Sequence, residues 1–319
     1  MKWNLGLNFY STDPILFEPN ELASSDFTKY IADNRYHIYI VCKRKKIFFE
    51  SCELDGDFCK TTLYYLDSKH NKVYLYYRHP NNFFIKSWDS GIYQITVKGQ
   101  GDTTLRDFEL INVLNFLEGD PIGTSEPKSL PSDLEVLYIG QAFGRSSVKT
   151  IDYRVSNHEK VQKIALDILR RGTNEEVLII GLKIKTNDFG TSFVSLGSDT
   201  TRPTTESLIE LVNKAKKRLT NGQEVTVYEA SLIRYFRPDL NTEYKESFPS
   251  KDFQSYKELY ETDFDYSAMA IESGRLGVRL YSKEVMERKY VHTTHYPLTT
   301  KSDKKTLFEY LYELNGDNE

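Results

Sequence analysis

Glu229-Ala-Ser-Leu-Ile-Arg-Tyr-Phe-Arg-Pro-Asp-Leu-Asn241 decides how the middle of this chain is read. It continues an apolar run from Val225, and the whole predicts a helix over 225–236. Pro238 stops that helix, because a proline ring cannot continue the i to i−4 hydrogen-bond ladder. The helix carries one carboxylate, Glu229, and Asn241 stands just beyond its end. Upstream, Leu134-Glu-Val-Leu-Tyr-Ile-Gly140 reads as a strand ending at a glycine, followed by a polar loop. Residues 152–171 predict a helix, with Val155, Val161, Ile164, Ala165, Ile168 and Leu169 recurring at spacings of three and four. Glu176-Val-Leu-Ile-Ile-Gly-Leu-Lys-Ile184 is the clearest buried strand, and 205–220 predicts a further helix closed by Asn221-Gly222. Helices and strands alternate here, so the expected class is α+β.

Outward from this core the character changes. Residues 1–125 read as a β-rich domain: Tyr36–Cys42, Lys46–Glu50, Thr61–Leu66, Lys72–Tyr77 and Gly91–Val97 are short β-branched or aromatic runs between polar turns. Asp107–Leu117 predicts a short helix, and the Pro- and Gly-rich stretch 118–131 a linker. The expected domains are therefore 1–125, 126–250, and 251–319, the last a small α/β extension. In that extension Ser267–Glu272 and Leu276–Ser282 read as strands and Lys304–Leu314 as a helix, with His292 and His295 on a surface β-segment.

The 319 residues are 39% hydrophobic, and 23 Tyr and 18 Phe lean toward pleated structure. The run at the N-terminus has no apolar core of a signal peptide, and no stretch is apolar enough to span a membrane. Three cysteines, Cys42, Cys52 and Cys59, are odd in number and fit reduced thiols in a cytoplasmic protein. A net charge of −4 argues against binding nucleic acid over the whole surface. Residues 131–250 carry 17 basic and 16 acidic side chains, so any contact with DNA comes from local patches. Lys43-Arg-Lys-Lys46 reads as a solvated hairpin turn; the alternative is a phosphate-gripping loop helped by Phe48 and Phe49.

Tyr138, Arg154, His158, Glu229 and Asn241, in this order, are the side chains needed to cut a phosphodiester with one divalent cation. The reaction needs a deprotonated water, a polarised phosphate and relief of charge on the leaving oxygen. A hard cation such as Mg²⁺ takes one or two carboxylates and fills its other positions with water and phosphate, so Glu229 alone could anchor it. Arg154 offers a planar fork matched to phosphate oxygens, and His158 lies four residues on, along the same helical face.

Tyr138-Ile-Gly140, Arg154-x-x-x-His158, Glu229 and Pro238-Asp-Leu-Asn241 resemble the GIY-YIG endonuclease superfamily over about 115 of the 319 residues. The resemblance implies a small domain with a three-stranded antiparallel sheet flanked by helices, and single-metal hydrolysis of nucleic acid, DNA in preference to RNA, in restriction, defence or mobile-element biology. It implies that Glu229 holds Mg²⁺ (or Mn²⁺ in its place), that Arg154 binds the scissile phosphate, that Tyr138 or His158 helps to activate the water, and that Asn241 orders the site. Lys245, Arg145 and Lys160 become candidates for nucleic-acid contact, Arg145 also as a rival to Arg154. The family's first tyrosine motif normally lies about ten residues before the second, and nothing at 120–135 supplies it. Gly91-Ile92-Tyr93 spells it 45 residues upstream of Tyr138, and reads more simply as part of an ordinary strand. A nuclease-like module without catalysis, gripping nucleic acid, a protein partner or a second copy, is the alternative.

Overall fold

Glu175–Lys183 forms a strand buried on both faces, as its Val-Leu-Ile-Ile-Gly-Leu run requires. The computed structural model describes residues 2–67, 69–89, 92–97, 103–109, 132–142, 159–170, 174–184, 190–196, 221–242 and 266–297, with a few isolated positions between them. In chain order the elements are β1 (Lys2–Tyr10), β2 (Thr12–Phe17), α1 (Ser25–Asn34), β3 (Ile38–Lys45), β4 (Ile47–Asp55), β5 (Phe58–Leu66), β6 (Lys72–Pro80), β7 (Phe83–Asp89), β8 (Ile92–Val97), β9 (Thr103–Glu109), β10 (Asp133–Gln141), α2 (Glu159–Arg170), β11 (Glu175–Lys183), β12 (Gly190–Leu196), α3 (Asn221–Phe236), β13 (Tyr266–Glu272), β14 (Arg279–Tyr281) and β15 (Val291–Pro297).

The expected small sheet flanked by helices is not the architecture. Strands dominate, in four sheets, and only three α-helices occur among the described residues. A curled five-stranded sheet has the order β14-β10-β3-β11-β2, and a four-stranded sheet the order β12-β1-β13-β15. Two three-stranded meanders, β4-β5-β6 and β7-β8-β9, lie between β3 and β10 in the chain. The two larger sheets draw on all three segments that the sequence divides at 125 and 250. β3, for instance, pairs antiparallel with β10 on one side and β11 on the other. That long-range pairing leaves no visible mark in local sequence, which is why the class was misread.

The five-stranded sheet carries a core on each face. Tyr39, Val41, Tyr138 and Ile179 meet Ile31 of α1 and Ile164 and Ile168 of α2. Ile40, Ile139 and Ile180 on the other face meet α3 through Val227, Leu232 and Phe236. The four-stranded sheet covers α3 from behind. Phe9 packs on Tyr228, whose hydroxyl donates to the Ala270 carbonyl at 3.0 Å, and the Tyr296 hydroxyl donates to Ser231 O at 3.0 Å. A helix enclosed in this way must be apolar around most of its circumference, as 225–233 is.

Several local readings are corrected. Asn221 and Gly222 lie within α3, which therefore includes residues before the predicted start at Val225, and Glu229 lies two turns inside its described span. Residues 107–109 belong to strand β9, not to a helix. Lys43, Arg44 and Lys45 are not a solvated turn. They end β3 opposite Glu175 and Glu176, with Lys43 Nζ 3.1 Å from Glu175 and Arg44 Nε 2.5 Å from Glu176. His292 is buried, its ring between the Tyr235 hydroxyl and the Leu280 carbonyl, and is no surface residue. Cys42, Cys52 and Cys59 are buried free thiols. The predicted helices at 205–220 and 304–314 fall largely or wholly outside the described residues. Among the described residues no helix is long and apolar enough to cross a membrane.

Candidate functional site

Three of the predicted residues, Tyr138, Glu229 and Asn241, lie on or against the end of β10. Ile40 and Ile139 face each other across the β3–β10 ladder, and β14 pairs with β10 only at Asp133–Glu135. Beyond that point the outer edge of β10 needs other partners. The segment after α3 supplies them. Arg237, at φ 47°, takes the left-handed turn that ends the helix, and its N–H donates to Ile233 O at 2.8 Å. Pro238 follows, and the chain runs back along β10. Leu240 N–H donates to Leu137 O at 3.2 Å. The Asn241 side chain accepts from Ile139 N–H at 2.9 Å and donates to Ile139 O at 2.8 Å. Only one orientation of the amide satisfies both bonds.

Glu229 reaches the same strand end from α3. Gln141 Nε2 donates to Glu229 Oε2 at 2.8 Å and to Thr226 Oγ1 at 3.0 Å. Thr226 and Glu229 are three residues apart and share one helical face, so a single amide holds both. Glu229 is buried, at 9% exposure, and so is Asn241.

Tyr138 lies on the opposite face, in the core with α1 and α2. A bulge between Val136 and Tyr138 sets its register. Beside it is a residue that sequence reasoning missed: Tyr39 of β3, its ring centroid 6.0 Å from that of Tyr138. Tyr39 pairs with Gly140, and its ring lies across that glycine. A Cβ on Gly140 would come within 2.7 Å of Tyr39 Cζ and Oη and 2.9 Å of Tyr138 Cε1. Here glycine is required for space. Tyr39 lies in His37-Ile-Tyr39, almost a hundred residues before Tyr138; the two meanders between them hid the pairing. The available signal was the run Tyr36–Cys42 itself, read only as a strand.

His37 also stands at this end of the sheet. Its carbonyl accepts from Ala142 N–H at 2.8 Å, and its Nδ1 accepts from Ile184 N–H at 2.8 Å. Burial first, and then the Lys183 ammonium, hold its pKa below the usual value. Because Nδ1 is an acceptor, a neutral ring carries its proton on Nε2.

The remaining predicted residues are distributed as follows. Arg145, Arg154 and His158 lie outside the described residues, as does Gly91 of the Gly91-Ile92-Tyr93 motif. Lys160 is in the first turn of α2, and its side chain is not among those described. Lys245 is tethered to the turn after α3: its Nζ donates to Asp239 O at 3.3 Å, and its carbonyl accepts from the Arg234 guanidinium. Tyr93 is in the middle strand of the β7-β8-β9 meander, opposite Ser87 and Phe108, and thus in a different sheet from Tyr138.

The arrangement brings Tyr138, Glu229 and Asn241 onto one strand end by three separate anchors, with the tyrosine and the carboxylate approaching from opposite faces. Chemically it offers one hard oxygen ligand, a pair of phenols and a rigid backbone between them. Among the described residues no group of three or more His, Cys, Asp and Glu is placed to share a metal ion. No protein-family model, no curated protein and no solved structure matches this chain.

Proposed function

We propose that the chain is a divalent-metal-dependent endonuclease acting on nucleic acid, with DNA the favoured substrate. The observation that carries this reading is the Gln141–Glu229 hydrogen bond. It brings a mid-helix carboxylate to the end of the strand that bears Tyr138, across 88 residues of sequence. Asn241 supports it by joining the third motif to that strand. Tyr39 supports it by giving Tyr138 the phenolic neighbour that was lacking near 120–135.

The residues suit Mg²⁺ of the kind held by one carboxylate, with water and phosphate completing the shell. Glu229 would hold it, and the bound ion would supply Lewis acidity and a more acidic water. In this reading Arg154 would grip the scissile phosphate and His158 would accept the proton of the attacking water, while Tyr138, which faces the α1–α2 core across the sheet from Glu229, would act by packing and not as the base. Arg145, Lys160 and Lys245 contact the nucleic-acid backbone. Tyr39 is fully buried, so it orients Tyr138 and does not touch substrate. Asn241 acts through Ile139 as a positioning residue.

One observation favours a second reading. Glu229 is largely buried and already engaged by Gln141, which is also what a plain helix-to-sheet tether would look like. The chain would then be an inactive module that binds nucleic acid, a protein partner or a second copy. A nicking assay on supercoiled and linear DNA with Mg²⁺ or Mn²⁺ separates the two. Cutting by wild type that is abolished in Glu229→Ala supports the enzyme. Equal cutting by the variant removes Glu229 from its role, and salt-sensitive binding without cutting supports the module.

A further inference from the structure

The outer face of the β4-β5-β6 sheet carries more aromatic and cationic side chains than its fold requires. Its inner face supplies the core with β7-β8-β9: Leu63, Leu75 and Tyr77 pack against Ile85 and Ile95. The outward positions are free of that duty. Along β6 they read Lys72, Tyr74, Tyr76, Arg78, two rings between two cations, all exposed. Tyr74 and Tyr76 are 39% and 38% exposed, with ring centroids 6.3 Å apart and planes within 17° of parallel. On the neighbouring strands Tyr64 stacks on Phe48 at 5.1 Å and meets Tyr74 at 6.1 Å, so the rings form one connected platform.

Each ring has a cation at hand. Lys60 Nζ lies 4.5 Å from the Tyr76 centroid, Lys72 Nζ 4.1 Å from that of Tyr64, and Arg78 3.7 Å from that of Phe58. Lys46, the last member of the basic run before β4, lies 5.7 Å from Phe48. The acids of this face, Glu50, Glu53 and Asp55, are confined to β4. Glu50 pairs with Lys72, and Asp55 stands 4.0 Å from Arg78. The β5–β6 side is therefore the positive side.

We propose that this face binds a single-stranded stretch of nucleic acid, its bases on the tyrosine rings and its phosphates on Lys60, Lys72 and Arg78. Platforms of rings edged by cations suit single strands, because every base has a face to stack and every linkage a charge. The spacing selects the strand state. Rings 6.3 Å apart stand at nearly twice the ~3.4 Å step of stacked duplex bases, so each can take a base only from an extended, unstacked chain. The long exposed stems of Lys60 and Lys72 let their ammonium groups swing from ring to phosphate. The inference deepens the nuclease reading and rests on it for taking nucleic acid as the ligand. It gives the insertion between β3 and β10 a role in holding a substrate with an unpaired region.

The test is fluorescence anisotropy in EDTA, with the full chain, a labelled oligothymidylate and a hairpin duplex of equal length. Wild type should bind the single strand more tightly than the duplex. Tyr74→Ala/Tyr76→Ala should weaken it by about tenfold or more. Tyr74→Phe/Tyr76→Phe should retain binding, which controls for folding, as does circular dichroism. Lys60→Gln/Arg78→Gln should lower the salt slope by about 0.7 for each charge removed. No binding, duplex binding as tight as single-strand binding, an unchanged alanine double variant, or equal competition by polyglutamate would each overturn the proposal. Strand binding through these tyrosines, with no cleavage of the same oligonucleotide once Mg²⁺ or Mn²⁺ replaces EDTA, sinks the nuclease and leaves this surface standing. Cleavage with an unaffected alanine double variant does the reverse.

Discussion

Asn241 holds Ile139 by both of its outward backbone groups, taking its N–H at 2.9 Å and giving to its carbonyl at 2.8 Å. The side chain thus replaces one rung of a missing strand at the edge of β10. Asn241→Ala leaves a buried donor and acceptor unsatisfied, at a cost of about 2–4 kcal/mol. Urea denaturation should show a lower midpoint at unchanged slope. Asn241→Asp gives a sharper check. A carboxylate keeps the bond from the N–H but repels the carbonyl, whereas a protonated carboxyl can make both bonds. Its deficit relative to wild type should therefore shrink as pH falls through the carboxyl range. A deficit independent of pH would mean that the side chain does not face both groups.

Gly140 sits under the Tyr39 ring, with room for a hydrogen and nothing larger. Gly140→Ala must displace the Tyr39 and Tyr138 rings from a packed core, which costs about 1–3 kcal/mol. Truncating the ring in Tyr39→Leu removes the two nearest clashing atoms and leaves only Tyr138 Cε1. The Gly140→Ala/Tyr39→Leu double variant should then lose less stability than the two single changes added together. Strict additivity in thermal or urea unfolding would place the clash elsewhere.

These two relationships also mark how far sequence carried. Strands β10 and β11 were legible because their runs are apolar on both faces, and the end of α3 because proline leaves no choice. The order Tyr138, Glu229, Asn241 was legible, but not that the sheet sets Tyr138 on the face opposite Glu229. The partner of Tyr138 was not, because β3 and β10 are separated by two complete meanders and nothing near Tyr39 records which distant strand it joins. β1, β2 and β12 were passed over because their value lies in pairing across the chain. The run Lys43–Lys46 misled for a physical reason. Four cations in a row look solvated until acids are placed opposite, and Glu175 and Glu176 lie more than 130 residues away.

Four histidines make the fold sensitive to mild acid. His37, His79, His292 and His295 are all held below the usual value of 6.5, and burial is the first cause in each. With folded pKa values depressed, the unfolded chain binds more protons once pH drops below 6.5. The stabilisation is complete above that value and is lost as pH falls through the folded values. Urea midpoints should thus decline between about pH 7 and pH 5. His292→Asn, which cannot titrate, should flatten part of that slope. A stability constant over this window would contradict the buried neutral rings.

Gln141 is the residue on which the catalytic reading can be probed without touching a metal ligand. Its amide donates to both Thr226 and Glu229, fixing the carboxylate relative to Gly140. Gln141→Leu keeps the volume and removes the donor. If the Glu229 carboxylate is a metal anchor, this should raise the Mg²⁺ concentration needed for half-maximal cutting, or lower the rate, by about 10- to 100-fold, as loss of an orienting partner does. Stability should fall by about 2–4 kcal/mol, because two hydrogen bonds are lost, one of them to a buried carboxylate, although Thr226 still donates to Gly222 O at 2.8 Å. If the Gln141–Glu229 pair is only a tether, unfolding shifts while the cutting rate and its Mg²⁺ dependence stay put. Measuring both on the same preparation decides between a positioned ligand and a structural strut.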